Sequence, residues 1–380
     1  MNNTKYKGRF FKHFMIIYDP RQKGKVRHNL IDILFIAVAA SICRCDDWLD
    51  MEAWARERED WLRKYLELPN GIPSWYTIER AFDHINPKQF SKCFTEWIKG
   101  IYNPDKGDVV AIDGKTMRGT ENKTTGKSGI HIVSAWSSSN KLVLGQVKTN
   151  EKSNEITAIP ELLEMLFIKD CIVTIDAMGC QKEIAKKIAK EKKADYVLAL
   201  KENHPLLYNE VKEYFNDTLE DKLRRALITK YRSIEKGHGR IEERIYYYTS
   251  DINWLTTRQE WYKLNGIGMV LRRTERNGVK TEEYAYYLSS VDAVEEFAKG
   301  VRLHWGIESM HWSLDVTFKE DANRTRTGKA PENLALLKRL ALNMVKKDEQ
   351  PGRKRSLKTR RFKALLNTNY LEYIFDINFK

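Results

Sequence analysis

The sequence predicts an α/β fold: a mixed sheet with a β-rich insertion, preceded by an α-helical N-terminal domain. Three observations carry that expectation. Two β-branched runs, Val109-Val110-Ala111-Ile112 and Ile172-Val173-Thr174-Ile175, each lead directly into an aspartate, Asp113 and Asp176. Short apolar runs bounded by turn residues read as buried strands. Upstream, from Asn29 to about Tyr102, apolar residues recur at helical spacing. Between Glu202 and Lys299 strand-like runs return, with Asn277-Gly278 set for a tight turn.

Composition narrows the class. A chain of 380 residues is long enough for two or three domains. Its net charge of +14 suits a protein attracted to polyanions, with nucleic acid first among them; a merely basic surface is the alternative. The cysteines, Cys43, Cys45, Cys93, Cys171 and Cys180, are odd in number and form no paired CxxC set, which points to a reducing cytosol rather than a disulfide framework. No secretory leader pattern is visible. Leu30 to Ile42 is strongly apolar but short for a membrane span and carries Asp32, so it reads as a buried helix.

Residues 1–102 form a basic arm followed by a helical domain. The arm holds Lys5, Lys7, Arg9, Lys12, Arg21, Lys23, Lys25 and Arg27 against Asp19 alone, and reads as a solvated or phosphate-binding tail. Asp46 or Asp47 caps a helix carrying Trp48, Met51, Trp54 and Ala55; Ser74 caps a second; Pro87 opens a third with Phe90, Phe94 and Trp97. The tryptophans between Trp48 and Trp97 recur at helical spacing and read as core. Helices flanking Pro69 to Pro73 make a weak helix-turn-helix candidate.

Asn103 to Gly107 is a linker, and residues 108–201 open the second unit. Its first strand ends at Asp113. The polar loop 114–129 leads to a hairpin, 130–137 with 141–149, and then a helix from Asn154 to Leu166 that includes Pro160. The strand ending at Asp176, a basic helix from Gln181 to Lys192 and a strand from Asp195 to Lys201 complete it. This β-β-β-α-β-α-β order matches a ribonuclease H-like fold, in which the first and fourth strands are neighbours and the site lies at their carboxyl ends. Residues 202–299 read as a β-rich insertion, and 300–345 as the final catalytic helix region. On that helix His304, Glu308, His311 and Asp315 fall on one polar stripe beside Ile307, Met310 and Leu314. Residues 346–380 read as a basic C-terminal tail, with nine Lys or Arg and two acids from Lys346 to Lys363.

Asp113, Asp176 and Glu308 are the candidate catalytic and metal-binding acids. Carboxylate oxygens suit Mg²⁺ or Mn²⁺, and two such ions clamp an in-line attack on a phosphodiester. The alternative is a pair of ordinary strand-end turns with Asp as a cap. A zinc site at His304 and His311 fits no HExxH spacing.

On these residues the chain resembles the DDE transposases of bacterial insertion sequences, in the H-repeat-associated group. The resemblance runs from Tyr18 to Lys347. Its anchors include Ile112-Asp113-Gly114-Lys115-Thr116, Thr174-Ile175-Asp176-Ala177-Met178-Gly179, Leu200-Lys201-Glu202-Asn203, Gly237-His238-Gly239-Arg240, His304-Trp305-Gly306-Ile307-Glu308 and Ala330-Pro331-Glu332-Asn333. It implies cleavage and joining of double-stranded DNA, at transposon ends and a target, with two Mg²⁺ ions held by Asp113, Asp176 and Glu308. It also implies a homodimer in the active complex and a bacterial, cytoplasmic, nucleoid-associated setting with no membrane partner. A nuclease that does not join strands and a catalytically silent DNA-binding derivative are the rival expectations.

One departure stands out. Related transposases place Tyr, Arg and Lys seven before, four before and seven after the catalytic Glu; here those positions hold Val301, His304 and Asp315. A phosphate grip must then come from elsewhere, and Lys115, Arg118, Lys201, Arg240, His304, Arg324 and Arg326 are the candidates. At His304 a cationic imidazole is expected to contact phosphate, with Arg as a partial substitute.

Overall fold

In the computed structural model the described residues are 6–122, 124, 126, 128–149, 154–221, 224–237, 239–351 and 355–379. Lys5, His238, Arg353, Lys354 and parts of the 114–129 loop lie outside them. The helical N-terminal part comprises α1 (Arg9–Phe14), α2 (Leu30–Ile42), α3 (Trp48–Glu57), α4 (Glu59–Leu62), α5 (Trp75–His84) and α6 (Pro87–Ile101). The expected caps are present. Asp47 accepts from the Asp50 N–H, Ser74 from the Thr77 N–H, and Pro87 opens α6 behind Asn86. Trp48, Trp54, Trp61 and Trp97 are buried, whereas Trp75 is exposed. Residues 63–74 separate α4 from α5, too long a connection for the helix-turn-helix turn.

The sheet follows. Its strands are β1 (Val109–Thr116), β2 (His131–Ser137), β3 (Leu142–Lys148), β4 (Ile172–Ile175), β5 (Asp195–Leu200), β6 (Thr229–Gly237), β7 (Arg240–Thr249), β8 (Gly266–Arg276) and β9 (Val279–Ser289). They form a nine-stranded sheet in the order β3-β2-β1-β4-β5-β9-β8-β7-β6. Only β1–β4 and β4–β5 are parallel pairs. The β1 strand runs three residues past its expected end, through Gly114 to Thr116. The β-rich segment does not stand apart, because β9 pairs with β5 and carries the core sheet onward. Asn277 and Gly278 both take positive φ, 51° and 78°, and close the β8–β9 hairpin as the dipeptide requires. Edge strand β6 is mostly exposed and bears Lys230, Arg232 and Lys236, charges that discourage further pairing.

Helices cover the sheet: α7 (Glu155–Met165), α8 (Lys182–Lys186, extended by a π-helical turn through Glu191), α9 (Pro205–Glu220), α10 (Val294–His304), α11 (Gly306–Phe318) and α12 (Ala330–Lys346). Pro160 lies inside α7, which starts at Glu155 behind the Asn154 cap. Phe297, Ala298 and Val301 of α10 pack on Val109, Ile172 and Val197. The expected single helix around Glu308 is instead α10 and α11, interrupted at Trp305.

Both basic ends turn out to be core. Phe10, Phe11 and Phe14 of α1 are buried against Phe35, Phe90 and Phe379. Asp32, the charge inside the apolar α2, accepts a hydrogen bond from the Tyr6 hydroxyl at 2.8 Å. The expected C-terminal tail forms α13 (Leu357–Leu366) and α14 (Thr368–Asn378). Arg361, 1% exposed, donates to Asp46 at 2.5 Å and to the Ser41 carbonyl, with its guanidinium 3.9 Å from the Phe318 ring centre. A basic segment is buried here because a distant acid neutralises it. Among the described residues no helix is long and apolar enough to cross a membrane.

Candidate active site

Parallel pairing of β1 with β4 sets Ile112 opposite Ile175, so the next residues, Asp113 and Asp176, emerge side by side at one sheet edge. The Asp176 Oδ1 atom accepts the N–H groups of Met178 and Gly179 at 3.1 and 3.3 Å. It therefore does cap a turn, as the simpler reading of the sequence allows. Asn203 donates to the Ala177 carbonyl at 2.7 Å, tying the Leu200–Asn203 motif to the loop after Asp176. Glu308 lies exposed in the first turn of α11.

These acids crowd one another. Burial, the Asp176 charge, Glu155 and Glu308 together push the Asp113 carboxyl up to about 6. Burial and Glu155 raise Asp176, against the lowering effect of its two N–H donors and Lys201. Burial also raises Glu308, while Arg272 opposes it. His311 of α11 sets Nδ1 3.6 Å from Asp113 Oδ2. Burial, with Arg339 and Lys115 nearby, holds that imidazole down to about 3, hence neutral. Among the described residues no group of three His, Cys, Asp or Glu side chains is arranged to hold a metal ion.

A cavity of about 950 Å³ opens beside Asp176 and Glu308. Lys201, Arg244 and Arg272 line it, with His304, Trp305 and Tyr284. The Arg272 guanidinium stands 5.4 Å from the Trp305 ring centre. Arg244 is buried against Glu242 and Glu235, and Arg302 of α10 donates twice to Glu235, at 2.5 and 2.7 Å. The insertion is thereby fastened to the helix that leads to Glu308.

Of the candidate phosphate ligands, Lys201 and His304 reach this cavity and the others do not line it. Lys115 is committed to Asp315 and to Asp321, the latter at 3.4 Å, so its charge is answered within the protein. Arg118 is exposed, with Nε 3.9 Å from Asp321; Arg240 is exposed beside Glu242 at 3.2 Å. Arg324 and Arg326 are exposed in the loop between α11 and α12, where Arg326 donates to the Gly119 carbonyl. His304 departs from expectation. Its Nδ1 lies 2.9 Å from the Thr174 hydroxyl, and burial pushes the imidazole down to about 4, so it is neutral rather than cationic.

Glu155, His131 and Arg272 escaped sequence reasoning. Only Gly114 signalled the first two, since a glycine inside a strand marks a close approach by another group. A Cβ there would overlap Glu155 Oε1 and His131 Nε2. Arg272 gave no signal among the many charged residues of the β-rich segment.

Comparison with known proteins agrees with this geometry. A family profile described as "Transposase DDE domain" matches residues 104–344, and one described as "DDE_Tnp_1-associated" matches 11–98. The Escherichia coli O157:H7 protein named "Putative transposase YncI" is 43% identical over 370 residues, covering 95% of this chain and 93% of that one. The E. coli K12 protein named "H repeat-associated putative transposase YhhI" is 39% identical over 373 residues, covering 96% of each. A solved piggyBac transposase synaptic complex with hairpin DNA aligns over 97% of this chain and 80% of that one. Its TM-score is 0.38 at 11% identity, too low to establish a shared fold. The match across both sheet and flanking helices places this chain in the family of transposases with a DDE domain.

Proposed function

We propose that this protein is a metal-dependent DNA transposase whose β1–β5 unit is a ribonuclease H-like core, with Asp113, Asp176 and Glu308 as its catalytic acids. The observation that carries the reading is the placement of Asp113 and Asp176 at adjacent parallel strand ends, each raising the other's neighbourhood charge beside a cation-lined cavity. Clustered, partly buried carboxylates repel one another unless a cation answers them, and hard divalent ions take such oxygen donors. The donor set therefore fits Mg²⁺ or Mn²⁺, with Asp113 and Asp176 as first ligands and Glu308 completing a second position. Bound there, two ions would supply Lewis-acid activation of the attacking oxygen and of the leaving 3′-oxygen.

The chain's own residues do the rest. Strand backbone holds the two aspartates, and the Met178 and Gly179 N–H groups fix the Asp176 rotamer. Lys201 and Arg272 offer positive charge to phosphates entering the cavity, and the indole of Trp305 screens that wall from water. The substrate is double-stranded DNA, at transposon ends and at a target, with two copies of the chain working on paired ends. The net charge of +14 favours such a polyanion.

The test uses end-labelled DNA carrying the element's terminal repeats. Asp113→Ala, Asp176→Ala and Glu308→Ala should each abolish Mg²⁺-dependent cleavage while DNA binding in EDTA persists. Cleavage at the wild-type rate in Asp176→Ala rejects the assignment. Cleavage by the wild-type chain with no strand joining favours a nuclease, and DNA binding with neither reaction favours a silent derivative.

A further inference from the structure

We infer that Glu155 is a fourth acid of the ion-binding site, held in place by His131. The inference rests on the reading above and goes beyond its three acids. Glu155 is the first residue of α7 and its side chain is 12% exposed. It meets β1 at Gly114, the residue next to Asp113, where any side chain would collide with its carboxylate. His131, on the neighbouring strand, places Nε2 2.7 Å from Glu155 Oε1 and Nδ1 2.9 Å from the Thr116 hydroxyl. The imidazole thus spans from strand to helix and fixes one oxygen of the carboxylate.

A helix-start acid paired with a histidine has a plain structural explanation, since it satisfies the helix dipole. That explanation does not require the acid to sit where it disfavours ionisation of two others. Glu155 contributes to raising both Asp113 and Asp176, and at Asp113 its effect ranks ahead of that of Glu308. Three carboxylates converging from β1, the end of β4 and the start of α7 are unfavourable alone and become favourable around a divalent cation. His131, by ordering Glu155, acts as the outer partner that orients a ligand.

Ion binding is measured on the full-length chain without DNA, by Mn²⁺ titration followed by electron paramagnetic resonance. Asp176→Asn should lose binding, which tests the parent reading. Glu155→Gln keeps the shape and the acceptor for His131, and should weaken Mn²⁺ binding at least tenfold. His131→Ala should weaken it less. Binding unchanged in Glu155→Gln but lost in Asp176→Asn makes Glu155 structural and overturns the inference alone. Binding unchanged in both rejects the parent reading as well. A second measurement needs no variant. With Fe²⁺, ascorbate and peroxide, the wild-type backbone should be cut near residues 113, 176 and 155. Cuts near the first two without the third also overturn the inference.

Discussion

Asp113 offers a sharp test, because the arrangement that suits it to an ion should weaken the protein when no ion is present. Its carboxyl is raised from 3.8 to about 6 by burial and by its acidic neighbours. A shift of roughly two units corresponds to about 3 kcal/mol against the ionised form in the folded state. The side chain is 26% exposed, so the figure is an upper bound rather than a full dry-interior effect. Asp113→Asn removes the charge and keeps the shape, losing the charge-assisted part of the Gly114 N–H bond, about 1 kcal/mol. In EDTA at pH 7.5 the variant should therefore be more stable than the wild type by about 1–2 kcal/mol, or a few degrees in melting temperature. The direction with pH follows from a raised folded-state value. The favourable contribution of protonated Asp113 is fully present below 3.8 and lost as pH rises through about 6. The gap between variant and wild type should thus shrink toward pH 4, and saturating Mg²⁺ should reverse it by stabilising only the wild type. Differential scanning calorimetry reads all three conditions. A variant no more stable than wild type in EDTA at pH 7.5, or a gap that persists at pH 4, refutes the crowding argument.

The neutral, half-buried His304 leads to a pair of outcomes in single-turnover cleavage. His304→Gln, which keeps a hydrogen-bonding group near Thr174, should stay within about threefold of wild type, while His304→Arg should lose more than tenfold, about 1.4 kcal/mol; the opposite order would restore the phosphate contact expected from sequence. Arg361→Met leaves Asp46 buried without its partner and should cost about 3–5 kcal/mol in urea unfolding, and Arg361→Met with Asp46→Asn should recover much of it. A double variant as unstable as the single one would show that Arg361 acts through its carbonyl contacts instead.

Much of this site was legible because it rests on local patterns. A β-branched run leading into Asp is short-range information, and it found both aspartates and their strand neighbourhood. The Asn277-Gly278 turn, the Ser74 cap and Pro87 were legible for the same reason: backbone geometry at those points depends on one or two side chains. What failed was any feature set by partners far along the chain. Arg361 looks like part of a solvated basic run until Asp46 is known to face it. Phe10, Phe11 and Phe14 are diluted by surrounding lysines and arginines, so the charge pattern hid an aromatic helix face. Glu155 is an ordinary helix-start acid in sequence, and becomes part of the site only through the approach of α7 to Gly114.

The interruption at Trp305 and the pairing of Lys115 with Asp315 explain the departure from the wider transposase pattern. Glu308 begins a new helix, α11, whose direction is not imposed by α10 through a continuous backbone ladder. Something must then set α11 against β1. Asp315 lies seven residues after Glu308, two turns along, and Lys115 lies two residues after Asp113 on β1. Their ion pair, with Asp321 as a second acceptor, joins the helix of the third acid to the strand of the first. Lys115 is 14% exposed on its side chain, so this contact is screened less than a surface pair. A cation where Asp315 stands would face Lys115 at close range and push α11 from β1. The acid at this position therefore keeps Glu308 in register with Asp113, and the positive charge that a substrate phosphate needs is left to Lys201 and Arg272 across the cavity.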